Sequence, residues 1–207
     1  MARAGATREQ NPRGGGARLR ADLLAAANDL LDATGEPDRV TVRGVAAAVG
    51  VAPNAVYLHF ADRDSLLAEL AIDRFRVCTA EVRRSVEGID DPLERLVAGH
   101  VEYCRLALER PGHYRLLFHG LVRPADAQVA QRLTEAGLGY FQVCIDGCAA
   151  CLDARVLEAP SAETLAASIW ALQHGWCELA IVGMGVPSAV QPRELLELML
   201  SAGSPRE

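Results

Sequence analysis

The chain has 207 residues, half of them hydrophobic, with 21 basic and 27 acidic side chains and a formal net charge of -6. That hydrophobic share supports a large buried core and excludes a generally disordered chain, and no apolar run approaches the ~18 residues of a membrane span. The acidity is uneven: residues 1–64 hold eight Arg and eight acids, whereas residues 65–207 hold 13 Arg and 19 acids and carry the whole deficit.

Residues 1–17 bear Arg, Gly and Pro without periodicity and read as a flexible basic arm. Over residues 1–20, Arg3, Arg8, Arg13, Arg18 and Arg20 face Glu9 alone, a local +4. Every basic residue in the chain is arginine, the better bidentate ligand for phosphate and base edges, so this asymmetry is compatible with nucleic acid at one end. The N-terminus has no hydrophobic signal core, which predicts a cytoplasmic protein with its six cysteines reduced.

From Arg18 the apolar positions Leu19, Leu23, Ala27, Leu30 and Leu31 predict a helix that stops at Gly35 and Pro37. Thr41 reads as the N-cap of a short helix through Ala48, broken by Gly50. A second short helix starts at Pro53 and ends near His59 and Phe60. Asp62 then caps a long helix with the stripe Leu67, Ala71, Phe75, Cys78, Val82 and Val86, and the domain boundary falls within it. A helix follows with Leu93, Leu96, Val97, His100, Val101, Cys104 and Leu108, then a break and a short helix in "ERPGHYRLLFHG". Residues 125–154 place Val129, Leu133, Ala136, Tyr140, Cys144, Cys148 and Cys151 on one face; residues 161–183 are apolar almost all round, and a last helix covers about 192–201. With no alternating stretch of strand type, the fold class is all-α with about nine helices.

Two short helices about a glycine turn are the sequence image of a helix-turn-helix, although a hairpin inside an ordinary bundle has the same spacing. The residues themselves are more specific. "TVRGVAAAVGVAPNAVYLHFADRDSLL" resembles the DNA-binding segment of the tetracycline-repressor (TetR-like) family of transcriptional regulators. Thr41, Ala46, Gly50, Val51, Tyr57, Phe60 and Leu66 stand at that family's marked positions, and "RADLLAAANDLLDATG" is similar to its first helix. Arg63 replaces the usual Lys, Ala52 replaces a usual Ser and so lacks the capping hydroxyl, and Asn54 occupies a position often small. The resemblance implies a double-stranded DNA operator as partner. Thr41 would meet phosphate, and Arg43 a base edge or phosphate. Pro53, Asn54 and Ala55 would face bases, with Asn suited to adenine and Ala to a thymine methyl. Tyr57, His59 and Arg63 would hold phosphates, while Val56 and Phe60 belong to the core.

Beyond residue 67 the argument is local. "PGHYRLLFHG" and "IWALQHGWCELAIVG" resemble a C-terminal regulatory domain of a subset of the family, marked here by Trp170, His174 and Gly175. The expected organisation is an arm over 1–17, a three-helix DNA-binding domain over 18–64 and a ligand-binding and dimerisation domain over 65–207. Residues expected about a small-molecule pocket are His100, Tyr103, Cys104, Tyr114, Phe118, Phe141, Trp170 and His174, each competing with an ordinary core role. A helix apolar on two faces needs two partners. Leu165, Ile169, Leu172, Trp176 and Leu179, with Leu195, Leu196 and Met199, are therefore expected at a two-fold interface of a homodimer.

Cys144, Cys148 and Cys151 have the spacing of a cluster-binding motif of radical enzymes, but they fall on one helical stripe with Leu133 and Tyr140. Core packing is the preferred reading. Thiol or metal sensing through these three is the alternative, and no cofactor or metal is expected. No acid/base pair, activated nucleophile or phosphate loop stands at a recognisable spacing, so the chain reads as a regulator and not an enzyme. The resemblance implies a repressor released from a palindromic operator by a small molecule.

Overall fold

A computed structural model describes residues 15–184 and 190–201. The first helix, α1 (Gly15–Thr34), begins slightly before the residues assigned to a helix by periodicity; the rest of the expected arm, residues 1–14, lies outside the described residues. Leu23, Ala27 and Leu31 are fully buried on its inner face. Gly35 ends it in a left-handed conformation at φ +66°, and a 3-10 turn over Pro37–Arg39 occupies what the sequence showed only as a break.

The two short helices are set by their caps. Thr41 is extended and its hydroxyl oxygen accepts from the Gly44 amide at 3.0 Å, starting α2 (Val42–Val49). Gly50 adopts φ +77° and the Val51 amide donates to the Ala46 carbonyl at 2.9 Å, closing that helix with a left-handed cap that a residue with a Cβ enters only under strain. Pro53 opens α3 (Pro53–Val56), whose N-cap Ala52 provides no side-chain bond. The expected second helix is thus only four residues long, and Tyr57, Leu58 and His59 continue it as turns. Asp62 caps α4 (Arg63–Ser85), accepting from the Ser65 amide at 2.6 Å.

Five further helices form the body: α5 (Pro92–Glu109), α6 (Pro111–Phe118), α7 (Ala127–Asp153), α8 (Ala162–Ile181) and α9 (Pro192–Ser201). The described residues are all-helical, as the sequence predicts. Helix α4 passes from the first core into the second. Leu66, Leu67, Leu70 and Ala71 pack with α1, α2 and Phe60, whereas Phe75, Cys78 and Val82 pack with Tyr103, Tyr140 and Trp176. A third core joins α5, α7, α8 and α9 through Leu96, Val97, Cys148, Ile169 and Leu196.

The two halves are also clasped directly. Leu116 of α6 is buried in the first core. His113 Nε2 lies 3.0 Å from Asp32 Oδ1, Arg110 donates to Asp32 Oδ2 at 3.1 Å, and Arg115 donates to the Gly35 carbonyl at 2.9 Å. Gly112 sits so close to Gly35 that an added Cβ would lie 2.9 Å from its backbone. Glu69 of α4 joins Arg20 of α1 at 3.0 Å to Arg132 of α7 at 2.5 Å.

Candidate functional site

The apolar faces of α2 and α3 fold inward, burying Val42, Val45, Ala46, Val56 and Phe60. The opposite face is consequently presented to solvent: Thr41, Arg43, Pro53, Asn54 and Tyr57 are exposed, Ala55 and His59 half-buried. The Thr41 hydroxyl is already engaged as a cap, so what it offers a phosphate is the helix N-terminus it organises. His59 lies near the start of α1, where a Cβ on Gly16 would stand 3.8 Å from its ring.

Two residues of this face differ from expectation. Arg63 donates from Nε to the Val40 carbonyl at 2.7 Å and from Nη2 to the Pro37 carbonyl, with Asp38 at 3.7 Å and Asp64 at 3.6 Å. Its guanidinium staples the turn before α2 to the start of α4, and phosphate would have to compete with those bonds. Leu58, not singled out from sequence, is 82 % exposed. The signal was present: Val56 and Phe60 share the inward face at a spacing of four, which turns the residue midway between them outward.

A cavity of about 420 Å³ opens in the body between α4, α5, α7 and α8. Of the eight residues expected at a pocket, His100, Tyr103 and Trp170 line it. The other five do not. Tyr114, Phe118 and His174 form an aromatic cluster behind the wall, with Tyr114 Oη 2.7 Å from His174 Nδ1 and Tyr103 Oη 3.2 Å from Nε2. Phe141 packs edge-on against Trp170 at 4.6 Å, and Cys104 is buried in the second core, its thiol pushed up by its hydrogen bond with Cys177 and by burial. Sequence reasoning missed Gln173 and Tyr140, both buried and both lining the cavity.

His100 is 2 % exposed and donates from Nε2 to the Pro192 carbonyl at 3.1 Å, anchoring α9. A carbonyl can only accept, so Nε2 carries the proton and Nδ1 presents a lone pair, which has no partner. Burial drives the His100 pKa down to about 4, keeping the ring neutral.

Residues 23–70 match the model of bacterial regulatory proteins of the tetR family, and residues 96–202 match the tetracyclin repressor-like C-terminal domain, a span of more than half the chain. The chain belongs to the tetracycline-repressor-like family. Among solved structures it is similar to a protein with unknown function from Rhodococcus sp. RHA1, with 27% identity, a TM-score of 0.74, and 89% of this chain and 92% of that one covered. It shares a fold with a putative transcriptional regulator from Saccharomonospora viridis in complex with choline, with 18% identity, a TM-score of 0.70, and 92% and 100% coverage. The transcriptional regulator FadR from Bacillus subtilis in complex with stearoyl-CoA has the same fold at 14% identity, a TM-score of 0.69, and 87% and 97% coverage. No curated protein matches the chain.

In this tetracycline-repressor-like chain the stripe expected at a subunit interface divides. Ile169 and Leu196 are fully buried, and Trp176 is buried with its indole N–H donating to the Val190 carbonyl at 3.0 Å. These three pack in the chain's own core. Leu165, Leu172, Leu179, Leu195 and Met199 are half-buried, and the exposed line of α8 is instead Ala167, Ala171 and Gly175.

The cysteine stripe packs as core. Cys148 and Cys151 are fully buried, Cys151 donates to the Pro92 carbonyl at 3.3 Å, and only Cys144 reaches the cavity wall. A hydrogen bond with Cys144 and burial raise the Cys148 thiol, and burial pushes Cys151 up to about 11. Both stay protonated and unreactive. Among the described residues no group of three or more His, Cys, Asp or Glu is arranged to hold a metal. The thiol- or metal-sensing alternative therefore has no support. No described helix is long and apolar enough to cross a membrane.

Proposed function

We propose that the protein is a cytoplasmic, homodimeric repressor that reads a palindromic operator and leaves it when a small molecule fills the body cavity. The carrying observation is the course of α4. Its first turn is built into the DNA-reading head through Asp62 and Arg63, and Val82 and Val86 near its other end line the cavity. At 23 residues it spans about 34 Å, so a slight tilt imposed at the cavity displaces the head. The Bacillus subtilis and Saccharomonospora viridis proteins, described with stearoyl-CoA and choline, support small-molecule binding by this fold and leave the ligand's identity to the lining residues.

Asn54, Pro53 and Ala55 carry base reading in this proposal, with Arg43, Tyr57 and His59 on phosphates or base edges. Dimerisation uses the small-residue line of α8 together with Leu198 of α9, which is 70 % exposed. Pairing of two copies would set two heads about one helical turn of DNA apart, ~34 Å. The role is regulation and not catalysis.

The test is operator binding by fluorescence anisotropy at fixed salt, with and without compounds shown by calorimetry to bind the protein. Binding compounds should weaken the operator complex, and Gly147→Leu, which fills the cavity beside Leu96, should abolish the response. Operator affinity unmoved by every compound that binds would overturn the proposal.

A further inference from the structure

The cavity wall specifies a chemical class of ligand. Its volume exists because Gly99, Gly147 and Ala150 stand where larger side chains would intrude; a Cβ on Gly147 alone would come within 3.2 Å of Leu96. About 420 Å³ is space for about 14 water-sized groups at ~30 Å³ each. Trp170, Tyr103 and Tyr140 supply aromatic surface, which favours a flat ring system by edge and offset contacts.

Charge is confined to the exposed residues. Arg83 and Arg95 are balanced by Glu87 and Asp146, and all four are exposed, whereas the buried polar groups, His100, Gln173 and the tyrosines, are uncharged. An ion carried inward would lose water without gaining a counter-charge. What the interior lacks is hydrogen-bond partners. His100 Nδ1 has none, but it is closed off from the cavity as well as from solvent. Among the described residues the Gln173 amide and the Trp170 indole N–H also have none, and both line the same cavity. A hydroxyl answers both needs, since it donates once and accepts through two lone pairs.

We infer that the cavity takes an uncharged aromatic molecule bearing a hydroxyl, which donates to the Gln173 amide oxygen and accepts from the Trp170 indole N–H. This rests on the cavity being the effector site, and it adds a class that a different cavity ligand would contradict. A carboxylate is disfavoured inside because it has no proton to give the Gln173 oxygen and no cation to meet. An ether of the same shape leaves the Gln173 oxygen without a donor.

The experiment uses the full chain and three probes of one scaffold in calorimetry near neutral pH: 2-naphthol, 2-methoxynaphthalene and 2-naphthoate. The naphthol should bind about tenfold more tightly than its methyl ether, the effect of one buried hydrogen bond, and the naphthoate more weakly than either. In Gln173→Leu the preference for naphthol over ether should vanish. Should that variant fold poorly, the probe pair on the native protein already decides the donor. Equal affinity for naphthol and ether overturns the hydroxyl, and tighter naphthoate overturns the uncharged class. Failure of all three overturns the inference, while any other compound that binds the native protein but not Gly147→Leu shows that the cavity reading survives it.

Discussion

Gly112→Ala tests how tightly α6 is locked to the head. The added Cβ would meet the Gly35 Cα and carbonyl carbon at 2.9 Å and its oxygen at 3.0 Å. Ordinary contact begins near 3.4 Å, so the two segments must separate by about half an ångström, and both sides are backbone. Gly35 cannot simply rotate away, because it ends α1 in the left-handed region at φ +66° and its amide donates to the Leu31 carbonyl. Overpacking of this kind costs about 1–3 kcal/mol, and the helix preference of Ala over Gly returns less than ~1 kcal/mol in a first turn. A net loss of about 1–2 kcal/mol lowers Tm by roughly 3–6 °C for a chain of this size. The assay is a thermal melt at fixed protein concentration, paired with operator anisotropy. Gly139→Ala in α7, where nothing lies within 4 Å of the new Cβ, is the control and should melt slightly higher than the native protein. A Gly112→Ala protein that melts at or above the native temperature, with unchanged operator affinity, would refute the close packing of α6 on α1.

Acid should weaken the fold in a defined window. His100 falls from 6.5 to about 4 through burial, so its contribution is complete above pH 6.5 and is lost as pH falls towards 4, on the order of 3 kcal/mol. Urea melts across that range should show the decline, and His100→Leu should lessen it without abolishing it, because burial also lowers His174 to about 4. Arg155 holds φ +57° at the end of α7, and Arg155→Gly should raise stability by about 0.5–1 kcal/mol, seen as a higher Tm. Arg63→Ala should lower Tm, by about 1–2 kcal/mol of lost carbonyl bonds, before any effect on DNA. Arg43→Ala should instead leave Tm unchanged while weakening operator binding and reducing its salt slope by about 1.

The head was legible because its signals are local. Thr41, Gly50, Pro53 and Asp62 each act within four residues of themselves, and caps and turns of that kind need no knowledge of tertiary structure. The body was legible as helices but not as a site. Cys104 and Tyr103 are neighbours in sequence and on nearby faces of α5, yet only Tyr103 lines the cavity. Which of the two meets empty space depends on where α7 and α8 lie, and on the absent side chains of Gly99 and Gly147. Periodicity likewise located the apolar residues of α8 but could not say which neighbour would bury them. Ile169 and Trp176 went to the chain's own core, leaving the small-residue line outermost. The bonds of Arg63 were hidden for a related reason: its partners Pro37 and Val40 lie more than twenty residues back and are reached only when the first core closes.

The clasp between α6 and the head bears on how freely such regulators can be recombined. Leu116 completes the core of the reading head, while the Asp64 and Asp62 carboxylates accept from the amides of Arg123 and Ala125 in the loop after α6. A graft that exchanges residues 18–64 for another protein's reading head would therefore cut through one packing unit. The recipient would keep Leu116 without the core it fills and a loop without the carboxylates it hangs from, while this chain's own head, moved elsewhere, would carry an unfilled hole where Leu116 sat. Chimeras built on this chain should carry α6 and the loop to Ala125 along with the head, so that the exchangeable module is discontinuous in sequence although continuous in space.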